Sequence, residues 1–195
     1  MRSLLHQFAQ LFFFCLLYTG ALWAQMNSAW TDINESTIVL QGERLIIPRL
    51  YRTVALDLNR LKEQLTQAPM EFTSRAKTNP AIILLPMPDG SFQRFAVVLS
   101  PMMEPELAQK FPDIKTWAGQ GIDDRTATLR FDITQFGFHA QVLSANGSVY
   151  IDPYSRNDVQ HYISYYKRNF SPPAGETWQC LVPDDAHKQH PIHPG

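Results

Sequence analysis

The chain opens with an apolar run and then changes to short segments in which apolar and polar residues alternate. Residues 11–17 are uninterrupted apolar side chains, Arg2 precedes them, and Ala24 stands before polar Gln25. The run is shorter than the roughly 20 residues that a membrane-spanning helix requires, and a small residue at its end is typical of a leader cleavage site. The pattern predicts a signal peptide over residues 1–24, with a membrane anchor as the less favoured alternative. We therefore expect a secreted or periplasmic protein.

Residues 25–35 are polar and predict a flexible lead-in, after which β-type patterning extends over residues 36–170. In residues 126–134, Ala127, Leu129, Phe131 and Ile133 share one face, as in a half-buried strand. Two hairpin turns are predicted at Asp89-Gly90 and Asn146-Gly147, where the second dipeptide favours positive φ. The predicted strands are residues 37–40, 44–48, 51–56, 81–85, 92–99, 114–117, 126–134, 138–143 and 149–151, with residues 158–168 as a closing strand or short helix.

Helical spacing occurs twice. Leu58, Leu61 and Leu65 recur at intervals of three and four after Asp57, a good N-cap residue. Residues 105–111 begin with proline in the favoured first turn and predict a second short helix. The resulting fold class is α+β and β-dominated: an antiparallel sheet or sandwich with two short helices over residues 36–170. Residues 171–195 are rich in proline and histidine and predict a linker or tail.

Composition and charge exclude several classes of protein. The chain has 17 basic and 18 acidic residues, so no basic surface for nucleic acid is indicated. No second apolar span follows the leader, so we expect no membrane contact after cleavage. The two cysteines are Cys15, in the leader, and Cys180. A mature chain with one thiol excludes a disulfide scaffold, and it leaves open an intermolecular bond, a metal ligand or a reactive group.

Residues for catalysis are scarce. The chain contains no His-Glu-x-x-His zinc helix and no Gly-x-Ser-x-Gly elbow. We interpret His139, within a predicted strand, as structural. Residues 119–124 fit a tight acidic turn better than a calcium loop, because the loop's alternating ligands are missing. His187, His190 and His193 have some ligand spacing with Cys180, but a zinc site built from the tail is the less favoured interpretation.

Several longer stretches resemble one family. They include Leu85-Pro-Met-Pro-Asp-Gly-Ser-Phe-Gln-Arg-Phe95, Gly119-Gln-Gly-Ile-Asp-Asp124, Val149-Tyr-Ile-Asp-Pro-Tyr154 and His161-Tyr-Ile-Ser-Tyr-Tyr166. Over residues 44–168 the chain resembles the N-terminal pro-domain region of secreted reprolysin-like (metzincin) zinc metallopeptidases of Bacteroidetes-type bacteria. The resemblance implies a folding aid and inhibitor whose partner is the zinc metallopeptidase catalytic domain. Zinc and catalysis would belong to that domain, and this chain would hold no cofactor and catalyse nothing.

The resemblance also suggests a role for Cys180. A thiolate from a pro-domain can occupy the zinc position that otherwise holds the attacking water, which removes the activated nucleophile. Steric occlusion of the cleft without any thiolate is an equally simple mechanism, and Cys180 would then be an incidental thiol. The alternative function is an independent exported β-rich module that binds surface glycans or proteins through exposed aromatic residues such as Trp117 and Tyr165.

Overall fold

Nine strands form one antiparallel sheet in the computed structural model, which describes residues 28–171. The strands are β1 (Trp30–Asp32), β2 (Arg52–Leu56), β3 (Ala81–Pro86), β4 (Phe92–Leu99), β5 (Lys115–Gly121), β6 (Thr128–Thr134), β7 (Gly137–Ser144), β8 (Gly147–Pro153) and β9 (His161–Tyr166). Their order is β1-β2-β9-β8-β7-β6-β5-β4-β3. The predicted antiparallel, β-dominated fold is confirmed, and the strands make one sheet instead of a sandwich.

The sheet curls until its two edges nearly meet. The edge strands β1 and β3 contact each other. The Ser164 hydroxyl of β9 donates a 2.8 Å hydrogen bond to the Pro86 carbonyl oxygen at the end of β3. Arg52 of β2 donates to the carbonyl oxygens of Met87 and Ser91, at 3.0 and 2.7 Å. These bonds join the two ends of the strand order and leave the sheet nearly closed.

Aromatic side chains fill the interior. Trp117 stacks on Phe131 with ring centroids 5.0 Å apart, and Phe131 lies 5.4 Å from Phe138. Trp30 of β1 packs edge-on against Phe138 and Tyr162, at 5.2 and 5.4 Å. Offset and edge-on pairs of this kind add stability beyond the area they bury. The alternation predicted for β6 is confirmed, since Leu129, Phe131 and Ile133 are all buried.

Three short α-helices lie in the connections between strands: α1 (Leu58–Leu65), α2 (Ser74–Thr78) and α3 (Pro105–Lys110). The Asp57 carboxylate caps α1 by accepting from the Arg60 amide at 3.0 Å, and Leu61 and Leu65 are buried in the core. Both predicted helices are confirmed. The sequence analysis missed α2, which buries none of its residues and therefore lacks an apolar periodicity. Single 3-10 turns occur at Glu35–Thr37 and Lys167–Asn169.

The two predicted hairpins form, with one change of geometry. Gly90 and Gly147 have φ of +91° and +115°, and each follows a tight turn. Asn146 does not take positive φ, contrary to the prediction for the dipeptide. Ser144 pairs with Gly147 across the turn, which is the arrangement of a turn followed by a bulge glycine. Residues 119–121, predicted as turn, instead complete β5 and pair with β4 and β6.

Two predictions near the start of the fold are wrong. The lead-in is not loose over residues 28–35, because Trp30 is 2 % exposed and β1 pairs with β2. Residues 37–40 and 44–48 form no strands. They belong to a segment, residues 38–50, that crosses the outside of the sheet and that we call the strap. Ile38 and Ile46 of the strap pack against buried Ile163 and Tyr165 of β9 and Tyr154 after β8. That inward packing explains the apolar pattern without a strand ladder.

The predicted signal peptide and the tail beyond Ser171, including Cys180, lie outside the described residues. The closing segment is the strand β9, so the strand alternative for residues 158–168 is confirmed and the helix alternative is not. Across residues 28–171 none of the helices has both the length and the hydropathy that a membrane span requires.

Candidate functional site

The outer face of β6, β7 and β8 carries a group of polar side chains. Asp132 is directly opposite His139, and Gln141 is opposite Tyr150 and donates to its hydroxyl at 2.7 Å. Two cavities of about 330 and 530 Å³ lie over this face and share His139 and Asp152 in their linings. We call this continuous depression the His139 groove. Its combined size falls in the range of ligand-binding clefts.

The two walls of the groove come from outside the sheet. Leu45 and Ile46 of the strap border the smaller cavity, and Met102 borders the larger one. The Arg130 guanidinium donates a 2.7 Å hydrogen bond to the buried hydroxyl of Ser100. That bond holds the segment that leads to Met102 against the sheet, so both walls are positioned by specific contacts.

His139 is the titratable residue at the centre of the groove. Its Nδ1 lies 3.4 Å from Oδ1 of Asp132, and its side chain is 37 % exposed. The hydrogen bond with Asp132 raises the pKa of His139, burial opposes this, and the negative charges of Asp132 and Asp152 add to the increase. His139 therefore keeps its proton to a higher pH than a free imidazole and presents a cationic donor to the groove.

The surroundings of Asp152 favour its neutral form, whereas those of His139 favour its charged form. Burial raises the pKa of the Asp152 carboxyl, although the Tyr165 hydroxyl donates to its Oδ2 at 2.8 Å and the charge of His139 also favours ionisation. The same burial raises the pKa of Tyr165 far above its usual value. Asp152 and His139 thus put an acceptor and a donor side by side, which suits hydrogen bonding to a polar ligand. Among residues 28–171, no three His, Cys, Asp or Glu side chains are placed to hold a metal ion.

A second polar cluster anchors the strap. The carboxylate of Glu35 accepts hydrogen bonds from the hydroxyls of Tyr51 at 2.5 Å and Tyr154 at 2.7 Å, and Arg44 Nη1 lies 3.2 Å away. Hydrogen bonds from the two hydroxyls are the main cause that lowers the pKa of Glu35, and the charge of Arg44 contributes less. Burial is the main cause that raises the pKa of Tyr154 to about 12, and its hydrogen bond to Glu35 adds to the increase. The Arg44 guanidinium also lies over the Tyr154 ring at 4.1 Å.

The outward side of the strap carries several aliphatic side chains among the exposed polar residues Gln41, Glu43 and Arg49. Five of its aliphatic side chains are between 58 and 72 % exposed: Val39, Leu40, Leu45, Ile47 and Leu50. Single exposed apolar residues are normal, but a concentration of them in one short segment is typical of an interaction surface. Leu45 also borders the His139 groove, so the aliphatic surface and the polar groove are continuous. We call the two together the strap–groove face.

The chain leaves the described fold beside this face. The Arg49 amide of the strap donates a 2.8 Å hydrogen bond to the Asn169 carbonyl oxygen. Phe170 packs on Tyr165 with ring centroids 6.1 Å apart, together with the inward residues of the strap. The described part of the chain therefore ends next to the strap.

Only some of the candidate residues discussed from the sequence lie in the described part of the chain. Cys180, His187, His190 and His193 lie outside the described residues. His139, interpreted as structural, instead lines both parts of the groove. Neither Asp132 nor Asp152 was predicted as a site residue from the sequence. Their only signal was position, since each occupies a polar site in the alternation of its strand.

Two further interpretations are settled by the structure. Asp123 forms a two-point contact with Arg94, from the backbone amide at 2.7 Å and the guanidinium at 2.5 Å. Asp124 accepts from the Thr126 amide and hydroxyl at 2.8 and 2.7 Å. The turn interpretation is confirmed only for the acidic part of this stretch after Gly121, where Asp123 bonds to Arg94 of β4 and Asp124 bonds within the turn. Trp117 and Tyr165 are 6 % and 4 % exposed, so the expectation that they are exposed is wrong.

Comparison with known proteins finds no relative: no family model, no curated protein and no solved structure matches the chain.

Proposed function

We propose that the chain is the pro-domain of a secreted zinc metallopeptidase, and that it docks on the catalytic domain through the strap–groove face. Docked there, it would assist folding of the peptidase and keep it inactive. The observation that carries the proposal is the row of exposed aliphatic side chains along the strap, beside a groove with charged residues. Interfaces combine an apolar centre with a polar margin in this way.

The position of the chain exit supports the same partner. The described chain that precedes residues 172–195 ends beside the strap, because Phe170 packs against the same buried cluster as Ile38 and Ile46. A catalytic domain joined through this segment would meet the strap–groove face at high effective concentration. Binding between a pro-domain and its own peptidase then needs less intrinsic affinity than binding between separate proteins.

Two inhibitory mechanisms remain compatible with this docking. In the first, the strap–groove face covers the catalytic cleft and excludes substrate. In the second, Cys180 supplies a thiolate to the catalytic zinc and displaces the attacking water. Cys180 comes nine positions after Ser171, and an extended chain over nine positions reaches roughly 30 Å. The thiolate can therefore act at a distance from the folded domain.

The test uses residues 25–195 and the reprolysin-like peptidase domain of the same organism. We expect a complex in calorimetry and loss of peptide hydrolysis. The triple variant Leu45→Ser, Ile47→Ser, Leu50→Ser should weaken binding by at least about tenfold, since apolar anchors dominate interfaces. Phe72→Ser is the matched control, because Phe72 is 93 % exposed outside the strap. Absence of a complex, or equal losses in the control, would contradict the proposal.

Cys180→Ser separates the two mechanisms. A higher inhibition constant with unchanged complex formation would support the thiolate mechanism. An unchanged inhibition constant would leave occlusion by the strap–groove face.

A second candidate function rests on the His139 groove alone. Its mixture of donors and acceptors, from His139, Asp152 and Gln141, suits the hydroxyl groups of a glycan, as an independent exported binding module would require. This is the weaker candidate, because Trp117 and Tyr165, the aromatic residues expected to contact a glycan, are buried. Binding of a bacterial surface oligosaccharide that is abolished by His139→Ala, without any affinity for the peptidase, would favour it.

A further inference from the structure

A third cavity lies at one end of the sheet, away from the residues assigned above to the strap–groove face. It is formed where β4 ends, β5 begins and β6 ends, and the last turn of α1 covers it. Its volume is about 600 Å³. We call it the end cavity. Ligand pockets span about 300–1,000 Å³, so the end cavity is large enough for a small organic molecule.

Apolar side chains line part of the end cavity, beside the polar residues Thr66, Thr134 and Gln135. Leu65, Trp117 and Ile133 line it, and all three belong to the main hydrophobic core. Leu99 and Ala68, which pack against the same core, complete this surface. A hydrocarbon chain placed here would exchange water contact for contact with core side chains, which stabilises the bound state by about 25 cal/mol per Å² of apolar area.

The rim of the end cavity is cationic. Lys62 of α1 and Lys115 of β5 both line it, against one carboxylate, that of Asp113. Within residues 28–171 neither lysine takes part in an ion pair. Two ammonium groups against one carboxylate, beside apolar side chains, leave the rim with a net positive charge, which is complementary to a ligand with an anionic head and a hydrocarbon body.

We propose that the end cavity binds a long-chain carboxylate, with its alkyl chain against Leu65, Leu99 and Trp117 and its head group between Lys62 and Lys115. This site uses none of the strap residues and neither His139 nor Asp152, and it shares only Trp117 with the lining of the His139 groove. A carboxylate fits better than a neutral or cationic amphiphile, since only an anion gains from both lysines.

Dodecanoate, kept below its critical micelle concentration, is the probe, and calorimetry with residues 25–195 is the measurement. We expect one molecule to bind per chain. The double variant Lys62→Gln, Lys115→Gln should weaken binding by about tenfold, whereas Lys77→Gln, a change at an exposed lysine of α2, should leave it unchanged. Dodecyltrimethylammonium, with a similar chain and opposite charge, should bind much more weakly. Added salt should weaken dodecanoate binding because it screens the exposed lysines.

Ala68→Phe provides a test of the apolar part. The larger side chain would occupy the cavity and should abolish binding, and a circular dichroism spectrum and unfolding midpoint like those of the parent would show that the fold is retained. Because Lys62 and Lys115 are exposed, the double variant tests the proposal even if Ala68→Phe does not fold. The proposal is overturned if dodecanoate does not bind at about 1 mM, if the cationic amphiphile binds equally well, or if the two lysine variants behave alike.

Discussion

Asp132 and His139 face each other across β6 and β7, with Oδ1 and Nδ1 3.4 Å apart. The hydrogen bond between them is the largest cause of the raised pKa of His139. Asp132→Asn should therefore lower the pKa of His139, measured by NMR titration of its ring protons. Asp152 also favours the charged imidazole, so part of the increase should remain. An unchanged titration curve would mean that Asp132 does not hold the proton on His139.

The same pair makes stability depend on pH in a defined direction. Because the folded pKa of His139 is raised above 6.5, its contribution is fully present below about pH 6.5 and is lost as the pH rises through the raised value. The effect should be below about 1 kcal/mol, since His139 is partly exposed and such pairs are screened. Urea unfolding across this pH range should show a smaller loss for Asp132→Asn than for the parent.

Acid should release the strap. The pKa of Glu35 is lowered by the Tyr51 and Tyr154 hydroxyls and by Arg44, so its contribution is present above about pH 4.5 and is lost as the pH falls through the lowered value. Hydrogen exchange at the Arg49 amide, which is bonded to Asn169, measures strap release. Glu35→Gln should speed that exchange already at neutral pH, whereas Glu106→Gln, on α3, should not. Equal exchange in both variants would contradict the role of Glu35.

The sequence predicted those parts of the fold that depend on short-range pattern. Strand β6 alternates over seven residues, and the α1 leucines repeat at helical spacing, so the local pattern indicates both elements. Strand β1 has three residues, too few for an alternation, and Trp30 is buried only because Phe138 and Tyr162 lie around it. The strap has the apolar alternation of a strand, but its backbone bonds to segments outside the strands. The Arg156 amide donates to the Glu43 carbonyl oxygen, and the Arg49 amide donates to the Asn169 carbonyl oxygen.

The candidate site was harder to predict than the fold. Asp132, His139 and Asp152 come from three strands, and only the register of those strands brings them to one face. No fixed spacing in the sequence marks such a group. A lone histidine in a strand is most often structural, and for that reason His139 was not predicted as a site residue. The outward positions of the alternation are the signal from which the groove could have been found.

Gly42 provides a test of how closely the strap is seated. A Cβ at this position would lie 2.5 Å from the Arg156 carbonyl oxygen, which is closer than van der Waals contact allows. Gly42→Ala should therefore lift the strap and destabilise the protein by about 1–3 kcal/mol, measured by urea unfolding. Glu43→Ala is the matched control, because the Glu43 backbone carbonyl that accepts from Arg156 is kept. A Gly42→Ala protein as stable as the control would mean that the strap has room to shift.

Trp30 should be among the most sensitive positions, although it lies in the part of the chain expected to be loose. Its ring is 2 % exposed and packs edge-on against Phe138 and Tyr162. Trp30→Ala should cost about 3–5 kcal/mol, as removal of a large core aromatic does. Trp30→Phe should cost much less. It keeps an aromatic ring and removes the indole Nε1, which is buried and has no hydrogen-bond partner among residues 28–171.

The control for Trp30 is its exposed neighbour. Thr31→Ala changes a solvent-facing side chain of the same strand, and its stability should stay within about 0.5 kcal/mol of the parent. Equilibrium unfolding of the three variants measures the order Trp30→Ala, Trp30→Phe, Thr31→Ala from least to most stable. If Trp30→Ala were no less stable than Thr31→Ala, β1 would not be part of the cooperative fold. The cooperative fold would then begin after β1, closer to residue 36, where the sequence predicts its start.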